Sequence, residues 1–373
     1  MPSAETGSPA ESSHRTYRCR GCRSDAGELV LDLGDQPAAD HFPAASDPQP
    51  DPRHPLAMWW CGDCGLAQLV DDATVPDEPR AIEPRAAVEQ ADAAVEELVA
   101  AGLLSPGAFV EFPSPHGGSW AEALEARGFR HAADGRADVV VDVNGLMHEQ
   151  DQAAGLRRRV EALAEGGTLL LQFPSYAGTL RRREWNALRH GHFAYHSVPA
   201  ARRLLADAGL SVVAARSYSL YNGSVLLLAS RDDLGRPEEL AAVDELERVE
   251  LVAGVRDPAV MTTLGSAVHD DVARLEAWVE ARAGKAWLYG AGSRAVAVLA
   301  AAQLRPGAIA GIADGAPAKQ GRRMPGTDVP IVSPQTLLDA DPGRVLLMLP
   351  DLEAELREAW PQLADRWVVY GEH

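Results

Sequence analysis

Four cysteines are all this chain contains, and they fall into two identical pairs, Cys19-x-x-Cys22 and Cys61-x-x-Cys64. Each pair sets two thiolates about 4 Å apart on one tight turn, half of the tetrahedral shell that Zn²⁺ prefers. The 38 residues between the pairs are enough for a small ribbon that folds back and closes the site. A single CxxC is compatible with redox chemistry. Two pairs with no cysteine left over point instead to structural zinc, ligated by Cys19, Cys22, Cys61 and Cys64 in a module over 17–70.

The remaining 300 or so of 373 residues can build two further cores. Apolar residues make up 46% of the chain, but no run approaches the roughly 20 needed to cross a bilayer, so no membrane partner is expected. Residues 1–16 are small and polar and read as a disordered lead without a secretory signal. Paired thiols in such a chain suit a reducing cytoplasm. Lys plus Arg is 35 against 54 Asp plus Glu, a net charge of −19. That balance argues against nucleic acid as a partner, because phosphate neutralisation needs a basic surface. It leaves room for a local basic pocket that takes a small anion.

The stretch VDDATVPDEPRAIEPR (70–85) is acidic and proline-rich and reads as a linker. Helical spacing of apolar residues follows over 86–104. Apolar runs at 108–112, 137–144, 167–174 and 224–230 predict strands, with helices near 151–164 and 198–209. Strands alternating with helices indicate an α/β domain over 86–232 with a largely parallel sheet. A helical connector is expected over 235–283 and a second α/β unit over 284–373.

In that last unit AWLYG-AGSRA reads as strand, turn, helix, with Gly290, Gly292 and Ala295 in a G-x-G-x-x-A arrangement and Asp314 closing the next strand candidate. This is the dinucleotide-type phosphate loop, in which glycines permit close approach and the helix N-terminus offers amide donors. A tight structural turn is the alternative reading. Ser293 and Arg294 flank the loop and are candidates to contact an anionic group.

Taken together, the CxxC…CxxC module with LDLGDQP, the segment RHGHFAYHS followed by YNGS, and YGAGSRA…ADGAPAKQGRRMPGTDVPI resemble the sugar C-methyltransferases. The likeness runs from about Tyr17 to Pro350. It implies an α/β chain with three parts: a zinc ribbon-like N-terminal module, a central class I methyltransferase-like domain binding S-adenosylmethionine, and a Rossmann-like C-terminal domain. It also implies a nucleotide-activated keto-deoxysugar, or a similar anion, as the substrate in an antibiotic-type pathway. By position, His192 matches the family's base, which removes the proton beside the sugar ketone, and His190 the histidine before it. Tyr195, in the same segment, is with them a catalytic candidate by this resemblance. Imidazole titrates near neutrality, as such a base should. Asn222 and Ser224 match the family's substrate loop, Asn144 and His148 its Asn-x-x-x-His region, and Lys319 a loop that reaches the substrate.

The sequence departs from the family pattern at three places. Gly191 replaces the glutamate between the two histidines. The loop after strand 108–112 carries Pro113 and Pro115, with Gly117 and Gly118 coming late as a shifted remnant of the cofactor loop. Only 25 residues separate Phe112 from Asp138, too few for the usual two helices and two strands, so the central domain is truncated and its ribose-binding acid has no evident source. Three functions therefore stay open: methyl transfer from S-adenosylmethionine, SAM-independent epimerase, isomerase or lyase chemistry from the same base, and a noncatalytic binding role.

Overall fold

The computed structural model describes residues 17–74, 84–114, 120–133, 135–220, 223–231 and 235–371. The N-terminal module is an antiparallel sheet of β1 (Gly27–Pro37), β2 (Arg53–Cys61) and β3 (Ala67–Leu69). Its fourth strand comes from elsewhere. β8 (Ala194–Tyr195), inside the histidine-bearing segment, pairs with β3 through Ala67↔Tyr195 and Gln68↔Ala194. The zinc module and the central region thus share one sheet, a join that spacing along the chain does not announce.

The central sheet runs β5-β4-β6-β7-β10-β9. Its members are β4 (Ala108–Phe112), β5 (Arg130–His131), β6 (Ala137–Val143), β7 (Leu163–Pro174), β9 (Ser211–Tyr218) and β10 (Ser224–Ser230). β4, β5, β6 and β7 pair in parallel, while β10 runs antiparallel to both its neighbours, so the expectation of a largely parallel sheet needs that one correction. Both faces are covered, which is why β6 and β7 read as near-continuous Val and Leu. One face packs on α1 (Arg85–Ala100), whose buried Ala91, Ala94, Val95 and Leu98 follow helical spacing. Over the other lie α3 (Gln152–Glu161) and α5 (Val198–Asp207). Among the described residues, α2 (Ala121–Glu125) and the two-residue β5 are the elements between β4 and β6.

After β7 the chain leaves the sheet through α4 (Tyr176–Arg182) and returns through β8 and α5. A connector of α6 (Pro237–Val252), α7 (Pro258–Met261) and α8 (Thr263–Glu280) follows. The C-terminal sheet is wholly parallel, in the order β13-β12-β11-β14-β15. It contains β11 (Ala286–Tyr289), β12 (Ile309–Ala313), β13 (Ile331–Val332), β14 (Val345–Leu347) and β15 (Trp367–Val369). Between them run α9 (Ser293–Ala302), α10 (Pro334–Asp339) and α11 (Glu353–Ala359). Strand order reverses between β11 and β14, so the turn after β11 lies at the switch point where doubly wound sheets bind ligands.

One core joins these parts. Phe42, Met58 and Trp60 of the zinc module, Tyr176, Trp185 and Phe193 of the excursion, Trp278 of α8 and Val296 of α9 are buried in a single cluster. The excursion that carries His192 is therefore held between the zinc module and the C-terminal domain. Among the described residues no helix is long and apolar enough to cross a membrane.

Candidate active site and zinc site

The two CxxC turns face each other. Cys19 Sγ lies 3.4 Å from Cys64 Sγ and Cys22 Sγ 3.6 Å from Cys61 Sγ. All four sulfurs lie within 4.8 Å of one another, and Cys19, Cys61 and Cys64 are buried. Zn–S bonds of about 2.3 Å place tetrahedral sulfurs roughly 3.8 Å apart, so the cluster fits zinc. Its electrostatics point the same way. The Cys64 thiol holds Cys19 down to about 5, while that shared proton pushes Cys64 up and burial pushes Cys61 up to about 11. Four crowded thiols cannot all ionise unaided; a divalent cation lets them do so together. Arg20, between the first two ligands, carries this order outward. It donates to the Leu69 and Val70 carbonyls at 3.1 and 2.6 Å and lies 4.9 Å over the Phe193 ring, beside His192.

The segment Arg189–His196 makes a tight turn at Gly191, whose φ of +82° is open to glycine but strained for a side chain. A Cβ built there would lie 3.4 Å from the Asp40 carboxylate, which the zinc module supplies. The replacement of glutamate by Gly191 thus goes with a left-handed turn and a neighbouring carboxylate from another unit. Asp72 accepts the Gly191 N–H at 2.7 Å, so the stretch read as a linker supplies a clamp.

His192 is half-buried on this turn, and the His148 ring meets it edge-on at 4.8 Å. His148 Nδ1 lies 2.8 Å from the Gly191 carbonyl, so that nitrogen carries the proton and Nε2 presents a lone pair. His190 points the other way. It is 1% exposed, its Nε2 lies 3.1 Å from the Pro55 carbonyl, and burial lowers its pKa. His196 is also buried, bonded to Gln152 at 3.0 Å and lowered to about 4 by desolvation. The Tyr195 hydroxyl accepts the Arg189 N–H at 3.0 Å and donates to the Ala187 carbonyl at 3.3 Å, and burial raises its pKa.

Arg189 is the residue that sequence reasoning missed. Its guanidinium, buried, pairs with Asp40 at 2.9 Å and donates to Ser293 Oγ at the start of α9. One side chain thereby ties the His192 turn to the zinc module and to the glycine loop. The signal available in the sequence was a charged residue directly before His190 in an otherwise apolar and histidine-rich segment.

The glycine loop follows β11. Gly290 has φ +98°, and a Cβ there would lie 2.8 Å from Leu349. Asp314 spends its carboxylate on this loop, accepting the Ala291 and Ala316 N–H groups at 2.8 Å each. Lys319 is buried, donating to the Ala291 carbonyl at 3.0 Å and lying 4.7 Å over the Phe42 ring. Both residues, expected at the ligand, shape the loop from behind. Gly292, Ser293 and Arg294 are the half-buried members, and Arg294 lies 3.7 Å from Glu184.

At the carboxyl end of the central sheet, Asp142 is buried with Arg159 and accepts the Gly145 and Leu146 N–H groups at 2.8 and 3.0 Å, fixing the turn that leads to His148. Asn144, with φ +60°, is buried, and its Oδ1 has no hydrogen-bond partner. Ser224 is 1% exposed with an unpartnered Oγ. Glu111 accepts the Trp120 N–H at 2.6 Å, closing the loop after β4. Gly117, Gly118 and Asn222 lie outside the described residues. S-adenosylmethionine meets a partial fit. Asn144 offers an amide oxygen without a hydrogen-bond partner; β5 ends at His131, Ala132 and Ala133 follow it, and Asp134 lies outside the described residues.

A cleft of about 570 Å³ opens between Pro48, Asp51 and Arg323 on one side and Leu299, Arg305 and Ile309 on the other. None of the predicted site residues faces it.

Fold and site define an α/β protein with a four-cysteine cluster fit for zinc, a six-stranded central sheet and a Rossmann-like terminal domain. Two family models match: a C-methyltransferase C-terminal domain over residues 219–369 and a zinc binding domain over 19–78. Along these two stretches the chain is similar to the C-methyltransferases. It is 27% identical over 234 residues to the C-methyltransferase NovU of Streptomyces niveus, a match covering 62% of this chain and 55% of that relative. Among solved structures, the magnesium protoporphyrin IX methyltransferase of Synechocystis PCC 6803 aligns at 16% identity over 40% of this chain and 85% of its own, with a TM-score of 0.30. The 1,6-didemethyltoxoflavin-N1-methyltransferase of Burkholderia thailandensis aligns at 12% over 44% and 94%, also at 0.30.

Proposed function

We propose that the protein is a C-methyltransferase acting on the carbon beside a ketone in a nucleotide-activated sugar or similar anionic substrate, with His192 as the base. The observation that carries this reading is the placement of the His192 turn. Arg189 ties it to Ser293 at the N-terminus of α9, so the turn that bears the imidazole is joined through one side chain to a helix end suited to an anion. His192 takes the proton from the carbon beside the ketone and leaves an enolate. His148, held by the Gly191 carbonyl, orients the His192 ring from its edge. Gly292, Ser293 and Arg294 hold the anionic end of the substrate. S-adenosylmethionine, when bound, supplies the electrophilic methyl group, and Asn144 is the described residue best placed to hold it. The relative NovU, named as a C-methyltransferase, supports this assignment.

The shortness of β5 favours a second reading, in which the same base enolises the substrate and returns the proton without methyl transfer. Calorimetric titration with S-adenosylhomocysteine separates the two. Methyl transfer predicts binding, and no heat at millimolar ligand would leave only the second.

A further inference from the structure

Two short stretches meet at His192. The turn 146–152, after β6, lies along the segment 191–196, and hydrogen bonds join them at intervals. His148 Nδ1 meets the Gly191 carbonyl at 2.8 Å, and the Phe193 N–H donates to the Met147 carbonyl at 2.8 Å. Further along, His196 Nε2 lies 3.0 Å from Gln152 Oε1. The first two bonds flank the edge-on contact of the His148 and His192 rings. The last closes the far end, and it is made by two side chains.

Gln152 is 1% exposed, and its amide is fully used. Nε2 donates to the Leu146 carbonyl at 2.8 Å and to the Glu149 carbonyl at 2.6 Å, on either side of His148. Carbonyls only accept, so they fix which end of the amide is nitrogen and leave its oxygen facing His196. His196, also buried, must then donate from Nε2. Desolvation holds its pKa at about 4, so the ring is neutral near neutral pH and carries one proton. Asp142 braces the other end of the turn through the Gly145 and Leu146 N–H groups. An apolar pair would fill this interior without the cost of desolvating an amide and an imidazole. What the polar pair supplies is direction, because an amide with its donors and acceptor all committed holds one geometry.

We propose that Gln152 and His196 are a positioning pair that fixes the His148 ring against His192, and through it the angle at which His192 meets the substrate. Both act through His148. The proposal rests on the reading of His192 as the base.

The test uses the zinc-loaded full chain with isotope-labelled histidine rings. NMR reads the through-space contact between His148 and His192, whose centroids lie 4.8 Å apart. Wild type should show that contact. Gln152→Leu and His196→Leu should lose it, whereas His196→Gln should keep it, because its NH₂ can still donate to Gln152 Oε1. The same variants are assayed for exchange in D₂O of the hydrogen beside the ketone of thymidine diphosphate 4-keto-6-deoxyglucose. At saturating substrate both leucine variants should be slower by about 10- to 10²-fold, with the half-saturating concentration within about twofold of wild type. The double leucine variant should be no slower than either single one, because each breaks the same bond. If Gln152→Leu fails to fold, His196→Leu against His196→Gln carries the comparison. A folded His196→Leu that keeps the ring contact and the wild-type rate would overturn the proposal, as would a His196→Gln impaired as much as His196→Leu. If His192→Ala exchanges at the wild-type rate, the base reading falls, and the ring contact alone decides whether the pair positions His148.

Discussion

Replacing Glu250 by alanine should unlatch the segment that carries His192. Glu250 reaches from α6 into the interior, where it is 1% exposed. It accepts the Ser175 hydroxyl at 2.6 Å and the Val198 N–H at the first residue of α5. Ser175 and Val198 flank the whole excursion from β7 to α5. The next links are backbone bonds, from the Ser175 N–H to Gly223 and from the Tyr176 N–H to His196, both 2.9 Å. Alanine leaves two buried donors unsatisfied at about 1–3 kcal/mol each and relieves the cost of burying a carboxylate, for a net loss of roughly 2–4 kcal/mol. Glutamine behaves differently. Its amide oxygen can accept from Val198 and its NH₂ can donate to Ser175, so Glu250→Gln should lie within about 1 kcal/mol of wild type near neutrality.

The pH dependence follows from the sign of the shift. Burial raises the Glu250 carboxyl above the ordinary value of 4.5, against the pull of its hydrogen bonds. Its contribution is therefore fully present below the unfolded value and is lost as pH rises through the folded one. Urea unfolding followed by the chain's tryptophan fluorescence should show the wild type losing ground to Glu250→Gln as pH rises from acid towards neutral. An alanine variant within about 0.5 kcal/mol of wild type, or a wild-type-to-glutamine gap flat with pH, would refute this reasoning.

Stripping zinc with a chelator, or Cys61→Ser, should disorder β1 to β3 and with them β8. Near-ultraviolet dichroism from Trp59 and Trp60 would fall, and the His192 segment would become protease-sensitive. An unchanged digestion pattern would separate the metal from the site. Arg159→Leu leaves Asp142 buried without its partner and should cost about 3–5 kcal/mol in denaturant unfolding. His190→Gln should change binding of thymidine diphosphate 4-keto-6-deoxyglucose little, because that ring faces Pro55; a loss as large as that of His192→Ala would reverse the roles of the two histidines.

The parts legible from sequence are those with local signatures. Four thiols in two CxxC turns fix their own geometry, and runs such as VVVDV and TLLLQF identify buried strands whatever their partners. The glycine loop sits in the strand–turn–helix context its spacing announced. What escaped was long-range. β8 is two residues long and exists only because β3 offers an edge. The partners of Arg189 lie 149 and 104 residues away, at Asp40 and Ser293. Glu250 sits in the charged stretch ELERVELV, where nothing near it in sequence names Ser175. Asp314 was singled out by its place at the end of a strand and Lys319 by the family resemblance, but the structure uses both to hold the Ala291 peptide.

The most direct test is proton exchange at the substrate. Thymidine diphosphate 4-keto-6-deoxyglucose in D₂O, followed by proton NMR, should lose the signal of the hydrogen beside the ketone faster with enzyme than without. His192→Ala should slow that exchange by about 10²–10⁴-fold while the fold and the zinc content stay intact. Exchange by His192→Ala at the wild-type rate would show that another group takes the proton, and the assignment of His192 as the base would fall.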